Sequence, residues 1–214
     1  MPVITVERKV LEQNDFVADE LRQQFKSSGI YVLNLLSSPG SGKTTLLERT
    51  LEELRHKIGI AVIEGDVQTD NDAQRIAKFD TPVVQIITNG GCHLDALLVR
   101  DALTNLPLDN VQLLFIENVG NLVCPASYDL GENKKVVIFS TTEGEDKPLK
   151  YPKMFRVADV CVLNKLDLAP HVEFDMTTYR QNAERINPKL KFFELSAKTG
   201  DGVSQWTDWL KSLI

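Results

Sequence analysis

A glycine-bearing turn between an apolar run and a helix-like segment constrains the fold of this chain more than any other feature. Residues 37–45 of the turn read SSPGSGKTT, and the apolar residues 31–36 precede them. A strand, a glycine turn and Lys-Thr at the start of a helix form the setting in which backbone N–H groups surround a phosphate chain. Ser37 replaces the first glycine of the pattern G-x-x-x-x-G-K-[ST], and the rest is intact. We therefore predict a nucleotide-binding loop.

The residue types in this loop suit phosphate binding. Glycines let the backbone approach oxygen closely, the lysine places an ammonium group against the β- and γ-phosphates, and the first threonine offers a hydroxyl group to Mg²⁺. The predicted phosphate-binding residues are Gly40, Ser41, Gly42, Lys43, Thr44 and Thr45.

Composition and charge narrow the class of protein. The chain has 214 residues, of which 43% are hydrophobic and 25% charged, as expected for a globular domain with a substantial core. Its formal net charge of -6, with no basic stripe, argues against a nucleic acid as the main ligand. Residues 1–9 lack the apolar core of a signal peptide, and no later run is long enough to cross a bilayer. We therefore expect a cytoplasmic protein without a membrane partner.

Short apolar segments alternate with helix-like segments along the chain. Strands are predicted over residues 31–37, 60–66, 82–88, 111–118, 136–141, 160–164 and 192–196. Helices are predicted over residues 44–57, 71–79, 93–105, 177–186 and 203–213, after a first amphipathic helix that Asn14 caps and that ends near Gly29. This alternation is typical of an α/β fold with a mostly parallel sheet covered on both faces. We expect one P-loop NTPase domain over residues 1–214, with residues 1–30 as an N-terminal helical extension.

Two acidic residues stand at the ends of predicted strands. Asp66 is expected to hold Mg²⁺ or to orient the attacking water, although a helix cap or a solvated turn would also explain it. Glu117 is the expected second anionic anchor of the metal, and Gly120 is spaced so that its N–H reaches the γ-phosphate. Lys43, Asp66 and Glu117 are the predicted catalytic residues. The predicted Mg²⁺ ligands are Thr44, Asp66 and Glu117.

A guanine-recognition pattern follows the sixth predicted strand, where residues 164–167 read NKLD. Asp167 can accept hydrogen bonds from the ring N–H and the exocyclic amine of guanine. Adenine has an acceptor at the first position and lacks the second donor, so it would leave a buried carboxylate unpaired. Asn164 is expected to brace the phosphate loop and Lys165 to cover the base. The loop after the last strand adds Ser196, Ala197 and Lys198, and the whole set predicts GTP.

Two of the three cysteines lie in turn-like segments. Cys92 precedes His93 in residues 89–96, which read NGGCHLDA, and Cys124 follows the predicted γ-phosphate segment. Two thiolates and an imidazole suit Zn²⁺ or Ni²⁺, and a helix N-terminus would favour the thiolate form. Free cysteines that are simply buried hydrophobes are the alternative. Cys161 lies in the middle of a predicted buried strand, and we expect it to be a core residue.

Three ligands leave a tetrahedral site incomplete. The site either keeps an open position or takes ligands from a second chain, as a two-fold homodimer would allow.

With these residues assembled, the chain resembles the hydrogenase maturation GTPase family (HypB), which helps to insert nickel into [NiFe]-hydrogenases. The resemblance covers essentially the whole chain and places it among P-loop GTPases of the SIMIBI type. Its most specific segments are residues 37–45, 64–69, 91–96, 117–125, 143–152 and 164–167.

The resemblance implies a dimerising GTPase with Cys92, His93 and Cys124 as nickel or zinc ligands at the subunit interface. It also implies two partners, a small HypA-like nickel metallochaperone and a [NiFe]-hydrogenase large-subunit precursor. Some members carry an N-terminal cysteine cluster or histidine-rich tract, and residues 1–14 contain neither. We therefore expect nickel to come from a partner. No arginine stands out as a built-in finger, so unassisted hydrolysis is expected to be slow.

Three other interpretations account for parts of the sequence. A urease-accessory GTPase would share the P-loop and the metal, but residues 91–96 and 118–125 fit the hydrogenase branch better. A Ras-like signalling switch would explain the guanine pattern and leave the cysteines and histidine without a role. A metal-storage protein would need more ligands and has no use for a guanine site.

Overall fold

The computed structural model describes residues 6–214, with side chains from residue 9 onward. A seven-stranded, all-parallel sheet lies at its centre with the strand order β3-β2-β4-β1-β5-β6-β7. The strands are β1 Tyr31–Ser37, β2 Ile60–Asp66, β3 Val83–Ile87, β4 Leu113–Glu117, β5 Lys134–Ser140, β6 Val160–Asn164 and β7 Lys191–Glu194.

Helices cover both faces of the sheet. They are α1 Val6–Ser27, α2 Lys43–Leu54, α3 Asn71–Ala77, α4 Ala96–Leu103, α5 Lys147–Lys150, α6 Pro152–Val157, α7 Met176–Ile186 and α8 Val203–Lys211. Three short 3₁₀ turns span Cys124–Ser127, Thr141–Glu143 and Leu166–His171. One face of the sheet packs against α2, α3 and α8, and the other packs against α1, α4, α6 and α7. The predicted α/β fold is confirmed.

Burial on both faces explains why the strands are apolar throughout. β4 is buried over its full length, and β1 has six buried residues in succession. Because all strands run in the same direction, their carboxyl ends lie at one edge of the sheet, and the ligand-binding loops follow them there. The ligand crevice lies between the loop after β1 and the loops after the neighbouring strands. The phosphate loop, Asp66 and Glu117 all lie at this edge.

Most element boundaries lie within a few residues of their predicted positions, and one local prediction is wrong. Asn14 does not cap α1, because that helix already includes Val6. Asn14 is buried inside the helix, where it bonds to the segments after β3 and β4. The fourth helix begins at Ala96, three residues later than predicted. The first five residues of the expected extension lie outside the described residues.

Among the described residues, no helix combines the length and the apolar character that a membrane span requires.

A buried hydrogen bond joins the two long helices on the first face. Trp206 Nε1 of α8 donates to Thr50 Oγ1 of α2 at 3.0 Å, and the same hydroxyl donates to the Leu46 carbonyl at 2.7 Å. Thr50→Val keeps the shape of the side chain but leaves the buried indole N–H without an acceptor. We expect it to lower the free energy of unfolding by about 1–3 kcal/mol, measured by urea denaturation. Thr50→Ser retains the hydroxyl as the control, and equal stability of the valine variant would contradict this account.

Candidate functional site

The phosphate loop encloses a cleft of about 500 Å³ at the carboxyl edge of the sheet. Gly42 precedes α2 with φ of 93°, a left-handed conformation that side-chain-bearing residues rarely adopt. A Cβ atom on Gly42 would also lie 2.5 Å from Asn164 Nδ2. The cleft is lined by Pro39, Gly40, Ser41, Gly42, Lys43, Thr44, Thr45, Asp66, Val67, Asp72, Arg75, Glu117, Val119, Gly120 and Lys165. The sequence motif therefore forms a concave loop that leads into a helix N-terminus, which suits an anion.

Glu117 is the carboxylate at the base of this cleft. Its Oε1 accepts a hydrogen bond from Thr44 Oγ1 at 2.8 Å and lies 3.6 Å from Lys43 Nζ. Burial raises the pKa of Glu117, and the ammonium of Lys43 and the hydroxyl of Thr44 oppose that shift. Its other oxygen, Oε2, is buried and has no nitrogen or hydroxyl donor, and the carboxyl group of Glu64 forms a hydrogen bond with Glu117 that also opposes the rise in its pKa. Glu117 therefore belongs to a buried carboxyl pair at the base of a cleft lined with phosphate-loop residues.

Glu64 is a buried carboxyl group that the sequence analysis did not assign. It is 1% exposed and lies opposite Glu117 in the parallel pairing of β2 with β4. Its carboxyl group forms a hydrogen bond with Glu117, and its Oε1 has no nitrogen or hydroxyl donor. Burial, and then the neighbouring carboxylate, raise the pKa of Glu64 well above its ordinary value. A glutamate inside the apolar run of residues 60–64 was the available signal, because an unpaired buried carboxyl group is costly.

Asp66 ends β2 at the rim of the cleft. Its Oδ1 accepts hydrogen bonds from the backbone N–H groups of Gln68 at 2.9 Å and Thr69 at 2.8 Å. Burial works against ionisation here, but these amide donors lower the pKa of Asp66 below its ordinary value. The carboxylate is thus held in its ionised form facing the phosphate loop.

Arg75 also lines the cleft, and sequence reasoning overlooked it. Its guanidinium group forms hydrogen bonds with Glu48 at 2.5 and 2.9 Å, with Asp72 at 3.0 Å and with Thr45 Oγ1 at 3.3 Å. Position 75 lies in a short helix 30 residues after Thr45, and nothing in its local sequence marks it. These carboxylates occupy the guanidinium, so in this conformation it does not act as a finger toward the phosphates.

The guanine pattern forms a second cleft, of about 260 Å³, beside the phosphate loop. Asn164 connects three segments, because its Nδ2 donates to the Ser41 carbonyl and its Oδ1 accepts from the Ala197 N–H, each at 3.0 Å. Lys165 Nζ donates to the Gly40 carbonyl at 2.6 Å. Ser196 Oγ donates to Asp167 Oδ1 at 2.7 Å and so fixes that carboxylate.

The loop after β7 is fixed to α2. Arg49 donates to the backbone carbonyls of Ala197 and Lys198, at 3.2 Å each. The structure thus brings the predicted base-site residues together around one cleft.

Cys92, His93 and Cys124 form a cluster near the nucleotide cleft. One ligand atom from each residue lies within 4.8 Å of the other two, and all three residues are half-buried. His93 Nδ1 lies 3.5 Å from Cys92 Sγ. Such a set of two sulfur atoms and one nitrogen suits a borderline or soft divalent metal.

The protonation state of Cys92 differs from the expectation based on the sequence. Cys92 does not lie at a helix N-terminus, since α4 begins only at Ala96. The neighbouring Cys124 thiol, and then burial, raise the pKa of Cys92, so the expected helix-assisted thiolate is wrong for this residue. Burial lowers the pKa of His93, which favours the neutral imidazole that metals bind.

Two asparagines connect this cluster to the segment after Glu117. Asn118 is buried, and its Oδ1 accepts from the Leu94 N–H at 3.1 Å, directly after His93. Asn121 Nδ2 donates to the Cys92 carbonyl at 3.3 Å. The segment between Glu117 and Cys124 is thus bonded to the cysteine–histidine loop at two points.

Gly120 lies in that segment and packs against the phosphate loop. A Cβ atom there would lie 3.2 Å from the Cα atom of Pro39. The close approach explains why a glycine occupies a position between the phosphate loop and Cys124.

Cys161 has a purely structural environment. It is fully buried in β6, with its Sγ 3.0 Å from the Tyr179 hydroxyl. Burial raises the pKa of its thiol to about 12. The expectation of a core residue is confirmed.

Comparisons with known proteins agree with this arrangement. The model of the CobW/HypB/UreG nucleotide-binding domain matches residues 31–194. The "Hydrogenase maturation factor HypB" of Escherichia coli (strain K12) is 52% identical over 210 residues, which cover 98% of this chain and 72% of that protein. A "Hydrogenase/urease maturation factor HypB" of Helicobacter hepaticus is 42% identical, covering 97% of this chain and 87% of that protein.

A solved structure shows the same fold. The crystal structure of HypB from Helicobacter pylori in complex with nickel superposes with a TM-score of 0.88 at 37% identity, covering 94% of each chain. The resemblance deduced from the motifs is therefore confirmed. With the phosphate loop, the guanine cleft and these relatives in agreement, the chain belongs to the CobW/HypB/UreG family, in its HypB branch of hydrogenase maturation GTPases.

Proposed function

We propose that this protein is a nickel-handling GTPase that couples GTP hydrolysis to the insertion of nickel into a [NiFe]-hydrogenase precursor. The observation that carries the proposal is the connection between its two sites. One continuous segment begins with Glu117 in the nucleotide cleft and ends with Cys124 in the cysteine–histidine cluster, and two asparagines connect it to the loop that carries the other two ligands.

The nucleotide site discriminates through hydrogen bonding. Asp167 would accept from the two guanine donors, with Ser196 holding its carboxylate in place. Asn164 fixes the phosphate loop to this cleft, so that base and phosphates are bound in a defined relation. GTP and GDP are the nucleotides that this chemistry selects.

The residues at the cleft base fit Mg²⁺. Thr44, Asp66 and Glu117 offer only oxygen atoms, which Mg²⁺ prefers, and all three line the cleft around the phosphate loop. When bound, Mg²⁺ neutralises charge that develops on the β- and γ-phosphates.

Side chains of the protein are expected to contact the phosphates and the attacking water. Lys43 lies in the phosphate loop with its ammonium near Glu117, and is placed to bind the terminal phosphates. The ionised Asp66 is in position to accept a proton from, or to orient, the attacking water. With Arg75 held by carboxylates, we expect hydrolysis by the isolated protein to be slow.

Nickel is the cargo in this proposal, and Cys92, His93 and Cys124 are its ligands, with zinc as a competing metal. The HypB of H. pylori was solved with nickel, which supports the choice of metal. Three donors are too few for a closed tetrahedral site. We propose that a homodimer completes the site, that a HypA-like metallochaperone supplies the nickel, and that the exchange takes place in the cytoplasm within one domain spanning residues 1–214.

One relative favours a second client. The H. hepaticus protein carries the name of a hydrogenase/urease maturation factor, so a urease precursor is an alternative recipient of the nickel.

Asp167→Asn tests the specificity for guanine. An amide cannot accept from both guanine donors, and charge-assisted hydrogen bonds are worth about 1.5–3 kcal/mol each. We expect GDP to bind at least about tenfold more weakly by calorimetry. Xanthosine diphosphate should gain affinity, because its 2-carbonyl can accept from the new amide. Asp208→Asn, at a largely exposed carboxylate of α8, is the control. Unchanged GDP affinity in the Asp167 variant would refute the assignment of the base site.

Glu117→Gln tests the magnesium site. The amide keeps the shape of the side chain but removes the anionic anchor, so we expect GTP turnover to fall by at least about tenfold. The Mg²⁺ concentration needed for half-maximal activity should rise. Glu52→Gln, at an exposed position on α2, is the matched control. Wild-type turnover with an unchanged Mg²⁺ requirement would show that another residue anchors the metal.

The coupling between the sites is tested by nickel calorimetry with GDP and with a non-hydrolysable GTP analogue. We expect the two dissociation constants to differ by at least about fivefold, because γ-phosphate contacts at Gly120 shift the segment that ends at Cys124. Asn121→Ala removes the bond to the Cys92 carbonyl and should reduce the difference. Asn105→Ala, at an exposed site just after α4, should leave the difference intact.

Cys92→Ala distinguishes a nickel-binding cluster from cysteines with a structural role. Loss of nickel binding in both nucleotide states identifies the cluster as the nickel site. Nickel binding that survives this change would leave a GTPase with structural cysteines. Equal nickel affinity of the two nucleotide states in the wild-type protein would refute the coupling.

A further inference from the structure

The ring of Tyr128 is stacked on the imidazole of His93. The ring centroids are 3.8 Å apart and the planes differ by 25°. Tyr128 follows the 3₁₀ turn that begins at Cys124, and its N–H donates to the Pro125 carbonyl at 3.4 Å. The stacking therefore brings together the segment with the third cysteine and the segment with the histidine.

This contact limits the orientation of the imidazole. His93 has its Nδ1 atom 3.5 Å from Cys92 Sγ, so the nitrogen faces the sulfur atoms while one ring face lies against Tyr128. A histidine on a loop otherwise populates several rotamers, and a metal must select one of them. A ring that is already held in the ligating orientation binds metal at a lower entropic cost.

The helix α1 holds the two segments at a fixed separation. Asn14 is 3% exposed, and its Nδ2 donates to the Asp129 carbonyl while its Oδ1 accepts from the Ala96 N–H, both at 2.9 Å. Asp129 is the residue after Tyr128, and Ala96 lies three residues after His93. One buried amide thus bonds to both segments that carry the stacked rings.

A second contact keeps α1 on this side of the molecule. Arg22 binds the Asp129 carboxylate at 2.5 Å, so the helix is attached to this segment at two points along its length.

From these contacts we infer that Tyr128 is a positioning residue for the metal site and that Asn14 supports it from α1. Tyr128 holds the His93 imidazole toward the two thiols, and Asn14 keeps the two segments in register. The inference rests on the proposed nickel site and adds to it two residues outside the ligand set.

A purely structural role would have a different signature. Tyr128 also packs against the apolar cluster between α1 and α4, so its loss could weaken the fold as a whole. In that case thermal stability and nucleotide affinity would fall together with metal affinity. A positioning role predicts that nickel affinity changes while the affinity for GDP does not, since the guanine cleft is lined mainly by the segments after β6 and β7 and not by Tyr128.

The test compares Tyr128→Leu with Tyr128→Phe. Leucine fills the apolar space without a ring to stack, and phenylalanine keeps the ring. We expect Tyr128→Leu to weaken Ni²⁺ binding by roughly tenfold in calorimetry and to shift the thiolate-to-nickel absorption bands. Tyr128→Phe should stay within about twofold of the wild type, because the stacked pair persists. The melting temperature and the GDP dissociation constant are measured on each variant.

Asn14→Ala provides the second variant. It should weaken Ni²⁺ binding in the same direction, whereas Phe16→Ala, at an exposed position on the same helix, should not.

The possible outcomes distinguish a failure of the positioning role from a failure of the proposed nickel site. Wild-type nickel affinity in Tyr128→Leu, alongside lost binding in Cys92→Ala, would overturn the positioning role and leave the nickel site standing. A parallel fall in nickel affinity, GDP affinity and melting temperature would assign Tyr128 to the fold instead. Absence of nickel binding by the wild-type protein would overturn both.

Discussion

The buried contact of Glu117 with Lys43 and Thr44 is the constraint on which the site depends. It lies at the end of β4, between β1, which leads into the phosphate loop, and β2, which ends at Asp66. A carboxylate in such a position is costly unless charged and polar groups surround it. The ammonium and hydroxyl groups of the phosphate loop meet part of that requirement. The hydrogen bond with the neighbouring Glu64 carboxyl meets another part.

The chain after Glu117 extends this constraint to the cysteine–histidine cluster. Asn118 and Asn121 bond to the loop that carries Cys92 and His93, and Gly120 lies against the phosphate loop. Energetic coupling between sites requires contiguous elements with more than one arrangement. Here only a few residues separate the position that would sense the γ-phosphate from Cys124. A small displacement of this segment would therefore change the separation of the sulfur atoms directly, without a rearrangement of the sheet.

Sequence reasoning predicted the fold well because the information is local. Each ligand loop follows an apolar strand, and parallel strands place their carboxyl ends at one edge whatever their order. Sequence reasoning did not identify the residues whose role depends on partners distant in the sequence. Arg75 lines the cleft through bonds to α2, Glu64 meets Glu117 only because β2 lies next to β4, and Asn14 reaches two loops far away in the sequence. A buried asparagine in a helix has the same local pattern as a helix cap, so only the tertiary structure distinguishes the two.

The chemistry of the cysteine–histidine cluster is better suited to transfer than to storage. A structural metal site is closed by four ligands, and the described part of the chain brings three half-buried candidates together. A cysteine thiol loses its proton when it binds a metal, so metal binding at this cluster would depend on pH. The neutral imidazole of His93, held against Tyr128, offers a ready ligand. In the proposed function, such a site would accept nickel from one partner and release it to another, and the segment between Glu117 and Cys124 would make this exchange depend on the bound nucleotide.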